Sequence, residues 1–402
     1  MTRKRAPLAL IMLACAPRTL PSPTPVSFDL AGLKPVTELL DSAVAAGAAP
    51  GAVLAITRDG ERFVYASGQL GADEPESPGA ATIYDLASLT KVVGLVTGAM
   101  LAVDEGRLEL DAPVQQYVPA FTGAGKDRVT VRMLLAHASG LPAWRPLFRE
   151  AGSRAEAFAL ADTTPLSSVP GTVEVYSDLG AIILTQMLET IYHQRLDSLL
   201  ERRVFGPLGM RATGYLPGAD QRGRIAPTEM DPWRGRMLRG EVQDENAARM
   251  DGVSGHAGLF GSAEDLLIFA EWVLEQADGR AAGQAVRRSK SFTEVNRPAD
   301  RPTIRPSVLQ EFTRRQNLVP GSSRALSWDT PSPGGSAGSR LSPRSFGHTG
   351  FTGTSLWIDP EHHLAIILLS NRVNPTRDNP RWAPLRGKIA DLVMTTLFED
   401  AQ

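Results

Sequence analysis

The hydrophobic pattern changes period several times along the chain. A basic triplet, Arg3-Lys4-Arg5, precedes a short apolar run from Ala6 to Ala14, and residues 17–27 (PRTLPSPTPVS) are proline-rich. Val36, Leu39, Leu40 and Ala43 then recur at helical spacing. Gly51 to Thr57 and Arg62 to Ala66 read as two strands, and the Asp59-Gly60 pair between them signals a tight hairpin. Leu89, Val92, Val96, Met100 and Val103 predict a buried helix over 88–107, closed at Gly106. The stretch from about 110 to 275 is mainly helical in pattern, punctuated at Gly140-Leu141-Pro142 and at Phe205 to Gly209. Residues 317–345, rich in Ser, Pro, Gly and Arg, read as a long exposed loop. Two strand-like runs follow, Thr354 to Ile358 and Leu364 to Leu369, and then a final helix over about 384–399. This order predicts an α/β protein of the α+β type: an antiparallel sheet drawn from both chain ends, flanked by helices, with a mainly helical insertion at about 110–275.

Composition narrows the class. With 402 residues, 43% hydrophobic and 21% charged, the chain can bury a large core. Lys and Arg total 42 against 44 Asp and Glu, so the basic excess of a phosphate-tracking protein is missing and nucleic acid is not an expected partner. The single cysteine forms no internal disulfide. The six histidines show no zinc-ligand spacing, so neither a metal nor another cofactor is expected.

That cysteine ends the first apolar run. Basic residues followed by a run too short to span a bilayer read as an export signal over 1–16, with a proline-rich tether over 17–30 and a single functional domain over 31–398. Two processing outcomes fit. Met12-Leu13-Ala14-Cys15 resembles a lipobox, which would leave a lipid anchor on Cys15; Ala14-Cys15-Ala16 equally resembles a small-residue cleavage site releasing a soluble chain. Either way the expected location is outside the cytoplasm, in the periplasm or anchored at the cell envelope, and loss of the basic triplet leaves the mature chain mildly acidic.

The candidate chemistry begins at Ser88-Leu89-Thr90-Lys91. Of six lysines, only Lys91 has a serine three positions earlier. On a helix this spacing puts both side chains on one face, where an amine can reach the hydroxyl. Serine alone is a weak nucleophile; a desolvated lysine can act as its base, or remain charged and lower the pKa of another acceptor. Taken alone, the pair also fits a helix N-cap beside an exposed lysine. Two further elements follow in order. Tyr176-Ser177-Asp178 precedes an apolar helix from Leu179 to Leu188, and His348-Thr349-Gly350 is expected to open a strand, with glycine allowing an acyl group close to the backbone.

Together these motifs resemble the serine β-lactamase-related superfamily, especially its class C β-lactamase, D,D-peptidase and family VIII esterase branch. The resemblance covers roughly residues 35–398. It includes Leu134 to Pro142 (LLAHASGLP), Pro207 to Met210, Gly255 to Phe260 (GHAGLF) and Gly347 to Pro360. It implies a β-lactamase/transpeptidase-like fold and a serine hydrolase working through an acyl-enzyme on Ser88, with Lys91 and Tyr176 as the proton-transfer pair. The backbone N–H groups of Ser88 and Phe351 would form the oxyanion hole. Asp178, His348, Thr349 and Gly350 would line the substrate site, for a small-molecule or peptide substrate.

Two departures bear on that substrate. Asp178 stands where the family usually has asparagine, and an ionised carboxylate only accepts hydrogen bonds. His348 stands where lysine is common; an imidazole is largely neutral near pH 7, and its titration is expected to shape activity on anionic substrates. Both lean away from penicillin hydrolysis and towards esters, amides or peptides, with a D-alanyl-D-alanine carboxypeptidase, a β-lactamase or a non-turnover penicillin-binding-like receptor module as alternatives. Other candidates read as structural. His137 and Gly140 close a helix. Glu229, Asp244, Glu245 and His256 are polar-loop residues rather than metal ligands. Gly334 to Gly338 spells G-x-S-x-G without the strand and helix that motif needs.

Overall fold

Asp59 and Gly60 both adopt positive φ (50° and 83°), the geometry a two-residue hairpin requires. They join β1 (Gly51–Arg58) to β2 (Glu61–Gly68) with Arg58 opposite Glu61. This computed structural model describes residues 32–278 and 301–398; the expected export signal, the tether and Cys15 lie outside the described residues. Three strands from the other end complete the sheet: β8 (Phe346–Thr349), β9 (Ser355–Asp359) and β10 (Leu364–Ser370). The antiparallel order is β2-β1-β10-β9-β8, so the two chain ends meet where β1 pairs with β10, Ala52 opposite Ser370.

Both faces of these central strands are covered, which is why they read as nearly continuous apolar runs. Val53, Ala55, Ile367 and Leu369 face the larger core, which takes in the helices that follow Ser88 and the helix Ala263–Ala277. Leu54, Ile56, Ile366 and Leu368 face the smaller core, closed by the terminal helices Lys34–Ala45 and Leu385–Phe398. The predicted sheet drawn from both chain ends and flanked by helices is therefore present.

Three expectations need correction. The middle is helical over Arg154–Thr163 and Asp178–Tyr192, yet it also holds short strands: β4 (Gly214–Tyr215), β5 (Met230–Asp231), β6 (Arg236–Met237) and β7 (Leu259–Ser262). β7 pairs with both β4 and β3 (Ile83–Asp85), making a second sheet just before Ser88. Two-residue strands leave too little alternation to show in a sequence. Residues 317–345 carry no named helix or strand, but they are not simply exposed: Ala325, Leu326 and Trp328 are buried, and Ser327 donates its N–H to Leu135 O. His348 and Thr349 end β8 rather than open a strand.

Candidate active site

Ser88 sits on a turn that local hydrogen bonds hold in a strained shape. Ala87, a non-glycine residue, has φ +46°, a conformation that costs about 1 to 3 kcal/mol and persists only where its surroundings enforce it. The Asp85 carboxylate enforces it by accepting the Ala87 N–H at 2.8 Å, its other oxygen taking the Gln243 N–H at 2.6 Å. Burial pushes the Asp85 pKa up to about 6 despite those donors. From Ser88 the chain enters a helix that runs first as a π-helical segment, Lys91–Val96, and then as α-helix, Thr97–Asp104, buried as far as Ala102. The pattern Leu89 to Val103 thus holds, with a widened turn that begins at Lys91.

The ammonium of Lys91 is fully buried and has three partners. Nζ donates to Ser88 Oγ at 3.1 Å and to His256 O at 3.0 Å, and lies 2.7 Å from Asp178 Oδ1. Burial pulls its pKa down, but the Asp178 carboxylate and then Tyr176 outweigh that, and the group is held above its ordinary value as an ammonium. Asp178 opens the helix Asp178–Tyr192, whose N-cap is Ser177. Its N–H donates to Ala143 O, fixing the helix start beside Lys91.

Tyr176 lies over the same ammonium, its ring centroid 4.8 Å from Nζ. The ring packs between His137 (4.6 Å) and His348 (5.8 Å). Its buried hydroxyl makes no aligned hydrogen bond among the described residues, although Lys91 and Ser88 both face it. Burial raises the phenol's pKa and the Lys91 charge only partly offsets this, so the resting tyrosine is protonated.

The end of β8 completes the cluster. Gly350 passes so close to the Ser88 turn that a Cβ there would overlap Thr354 Oγ1 and meet Leu86 O at 2.5 Å. Two hydroxyls staple the segments together: Thr352 Oγ1 donates to Asp85 O at 2.7 Å and Thr354 Oγ1 to Leu86 O at 3.0 Å. Arg386 donates to Gly350 O at 2.7 Å, and burial draws its pKa down to about 10. Phe351 exposes its side chain under Arg372, 4.6 Å away, and neither its N–H nor that of Ser88 enters a backbone hydrogen bond among the described residues. Thr349 is half-buried and accepts from His348 Nδ1 through its carbonyl at 2.7 Å, which sets the imidazole tautomer.

The expected titration of His348 near neutrality is corrected. Burial, then the charges of Arg324 and Lys91, pull its pKa down to about 3, so it stays neutral. The cation nearby is Arg324, over the Tyr176 ring at 5.2 Å and already bound to Glu174 (3.0 Å) and Asp329. No short motif marks Arg324, since it reaches the site from the irregular 317–345 stretch. His256, read from sequence as a loop residue, supplies a carbonyl to Lys91 while its ring bridges Ser254 Oγ (2.7 Å) and Asp244 Oδ1 (2.9 Å). A backbone acceptor leaves no mark in residue identity, so the sequence carried no signal for it.

Elsewhere, His137 and Gly140 turn the chain with φ of 55° and 82° as expected, and His137 Nδ1 also accepts the Ser177 N–H. Glu229 and Glu245 both bind Arg377, and no group of three or more His, Cys, Asp or Glu among the described residues is placed to hold a metal. Gly334 to Gly338 lies in a turn segment with neither strand before it nor helix after it.

A three-layer α+β fold with a Ser-x-x-Lys helix, a tyrosine loop and a strand-end glycine around one serine defines the class of β-lactamase and penicillin-binding folds. The family model described as Beta-lactamase matches residues 36–391, and this chain belongs to that family. It is 29% identical over 392 residues to the N-acetylmuramyl-L-alanine amidase of Bacillus subtilis strain 168, covering 89% of this chain and 85% of that one. It is 30% identical to a putative D-alanyl-D-alanine carboxypeptidase of Salmonella paratyphi B, covering 75% and 72%. Among solved structures, a class C β-lactamase from Rhodobacter sphaeroides superposes with a TM-score of 0.67 at 20% identity, covering 90% of this chain and 99% of that one. EstCE1, a hydrolase with promiscuous acyltransferase activity, superposes at 0.68 and 19%, covering 90% and 99%. The relatives similar in sequence are thus named as an amidase and a putative carboxypeptidase, while the two solved structures share the fold.

Proposed function

We propose that this chain is a serine hydrolase that cleaves an ester or amide through an acyl-enzyme on Ser88. The observation that carries this reading is the Lys91 ammonium held 3.1 Å from Ser88 Oγ and 2.7 Å from Asp178 with the Tyr176 ring above it. Ser88 Oγ attacks the scissile carbonyl. Its proton passes to the Lys91–Tyr176 pair, after that pair has shed one proton, and from there to the leaving nitrogen or oxygen. The Ser88 and Phe351 N–H groups stabilise the oxyanion, and water then hydrolyses the ester. His348, Thr349, Gly350 and Asp178 line the acyl site.

The relatives named as amidase and carboxypeptidase support an amide as the physiological bond and a peptide as the substrate. The neutral His348 leaves no lysine-like charge to grip a free carboxylate, which weighs against an efficient penicillinase. The signal-like N-terminus supports export, either lipid-anchored through Cys15 or released. No helix among the described residues is long and apolar enough to cross a membrane.

A chromogenic acyl ester tests the assignment. Steady turnover, a mass increment on Ser88 and loss of both in Ser88→Ala are expected. A single stoichiometric burst without turnover would leave a receptor module instead, and undiminished turnover in Ser88→Ala would remove Ser88 as the nucleophile.

A further inference from the structure

The charges around Ser88 point to a substrate. The Nζ of Lys91 is 3.1 Å from Ser88 Oγ and 2.7 Å from Asp178 Oδ1, so the Asp178 carboxylate lies a few ångströms from the reacting oxygen. That inner oxygen is buried against Lys91, yet the Asp178 side chain as a whole is 20% exposed. The exposure therefore lies on the rest of the side chain, and no second cation pairs with it among the described residues. The other charges nearby do not reverse its sign. Asp244 also feels Lys91, but its Oδ1 is bonded to His256 Nε2 at 2.9 Å, so it is not free to meet a substrate. Arg324 is bound to Glu174 and Asp329. His348 and His137 are buried and neutral. Asp178 is thus a carboxylate within a few ångströms of the nucleophile whose one ion-pair partner among the described residues is Lys91.

Resting on the acyl-enzyme reading above, we propose that Asp178 determines specificity, by accepting a hydrogen bond from an ammonium next to the scissile carbonyl and repelling carboxylates there. The substrate class this implies is an aminoacyl ester or amide with a free α-amino group. An α-nitrogen sits one carbon from the carbonyl that Ser88 attacks, which brings it within reach of the exposed side of Asp178. Charges held this close discriminate strongly, and the one-fifth exposure of the Asp178 side chain leaves that discrimination partly open to screening by salt. The ion pair also prevents Asp178 from swinging out of the site, so the acceptor is held in place before substrate arrives.

Three matched chromogenic esters of one amino acid test this: the free amine, its N-acetyl form and its N-succinyl form. Each is assayed on the full-length protein and on Asp178→Asn and Ser88→Ala. The wild type is expected to rank them cationic, neutral, anionic in kcat/KM, with about 100-fold between the extremes, and 0.5 M salt should narrow the range. In Asp178→Asn the extremes should fall within about fivefold of each other, whatever the absolute rate. A wild type that hydrolyses all three without that ranking, or a ranking kept in Asp178→Asn, overturns the proposal and leaves the acyl-enzyme reading standing. Should Asp178→Asn fail to fold, the wild-type ranking and its salt dependence decide. No hydrolysis of any ester, or full activity in Ser88→Ala, removes the acyl-enzyme reading and the inference with it.

Discussion

Thr354 donates its hydroxyl to the carbonyl of Leu86 across 268 positions of sequence, at 3.0 Å. Leu86 belongs to the turn that presents Ser88, and Thr354 follows the Gly350-Phe351 segment, so this bond and its neighbour from Thr352 hold two parts of the candidate oxyanion hole together. Thr354→Val keeps the shape but removes one of the two hydrogen bonds that the Leu86 carbonyl accepts, the other coming from the Leu89 N–H at 3.0 Å, which should cost about 0.5 to 1.5 kcal/mol in a denaturant titration. Ester turnover should fall in the remaining folded enzyme. Gly350→Ala should be worse, because its Cβ has no space against Thr354 and Leu86. Wild-type kinetics in both variants would show that the segment does not position the N–H groups.

Lys91→Ala and Tyr176→Phe should each lower the acylation rate at least about 10²-fold, the usual size of a lost proton-transfer group. Pre-steady-state release of the chromophore separates acylation from later steps. If only deacylation slows, the pair acts on the hydrolytic water instead of on Ser88.

The pH–rate profile follows from the two raised pKa values. Both Lys91 and Tyr176 hold their protons more tightly than usual, and the pair must lose one before it can accept the Ser88 proton. With a neutral ester, kcat/KM should therefore climb with pH through the neutral range, about tenfold per unit on the ascending limb. A flat profile from pH 6 to 9 would mean that the proton moves without prior deprotonation.

His348 contributes no inflection to that profile. Its pKa near 3 leaves it neutral throughout, so His348→Asn should change the height of the curve but not its shape between pH 5 and 8. A shifted limb in the variant would show that the imidazole gains a proton in that range.

The same histidines set an acid limit on stability. His348 and His137 have folded-state pKa values below their unfolded value of about 6.5. As pH falls below that value the unfolded chain binds protons that the folded chain refuses, so stability must decline with acidity. Thermal unfolding from pH 7.5 to 4.5 should show a falling Tm, with a shallower slope in His348→Asn. An unchanged slope would assign the acid loss to other groups.

Legibility in the sequence tracked the range of the interaction. The Asp59-Gly60 hairpin and the Lys34–Ala45 and Leu385–Phe398 helices depend on neighbours a few residues away, and their patterns were readable. The strand at His348 was placed a few residues late because the four residues of β8, following an irregular stretch, carry no period. The burial of Ala325 and Trp328 was missed because Ser, Pro and Gly around them suggested solvent, while Leu135 and Phe346 supply the contacts from elsewhere.

The residues alone spelled out the three candidate motifs, their order, and the strand-like runs near both chain ends from which the sheet is built. Spacing along a helix or strand fixes which side chains share a face, and that is a local matter. Tertiary structure alone decided what charge each group carries. Lys91 stays an ammonium because Asp178 lies 2.7 Å away, and His348 stays neutral because it is buried near Arg324. Protonation depends on lost water and on charges a few ångströms off, which in this protein come from segments far apart in the chain.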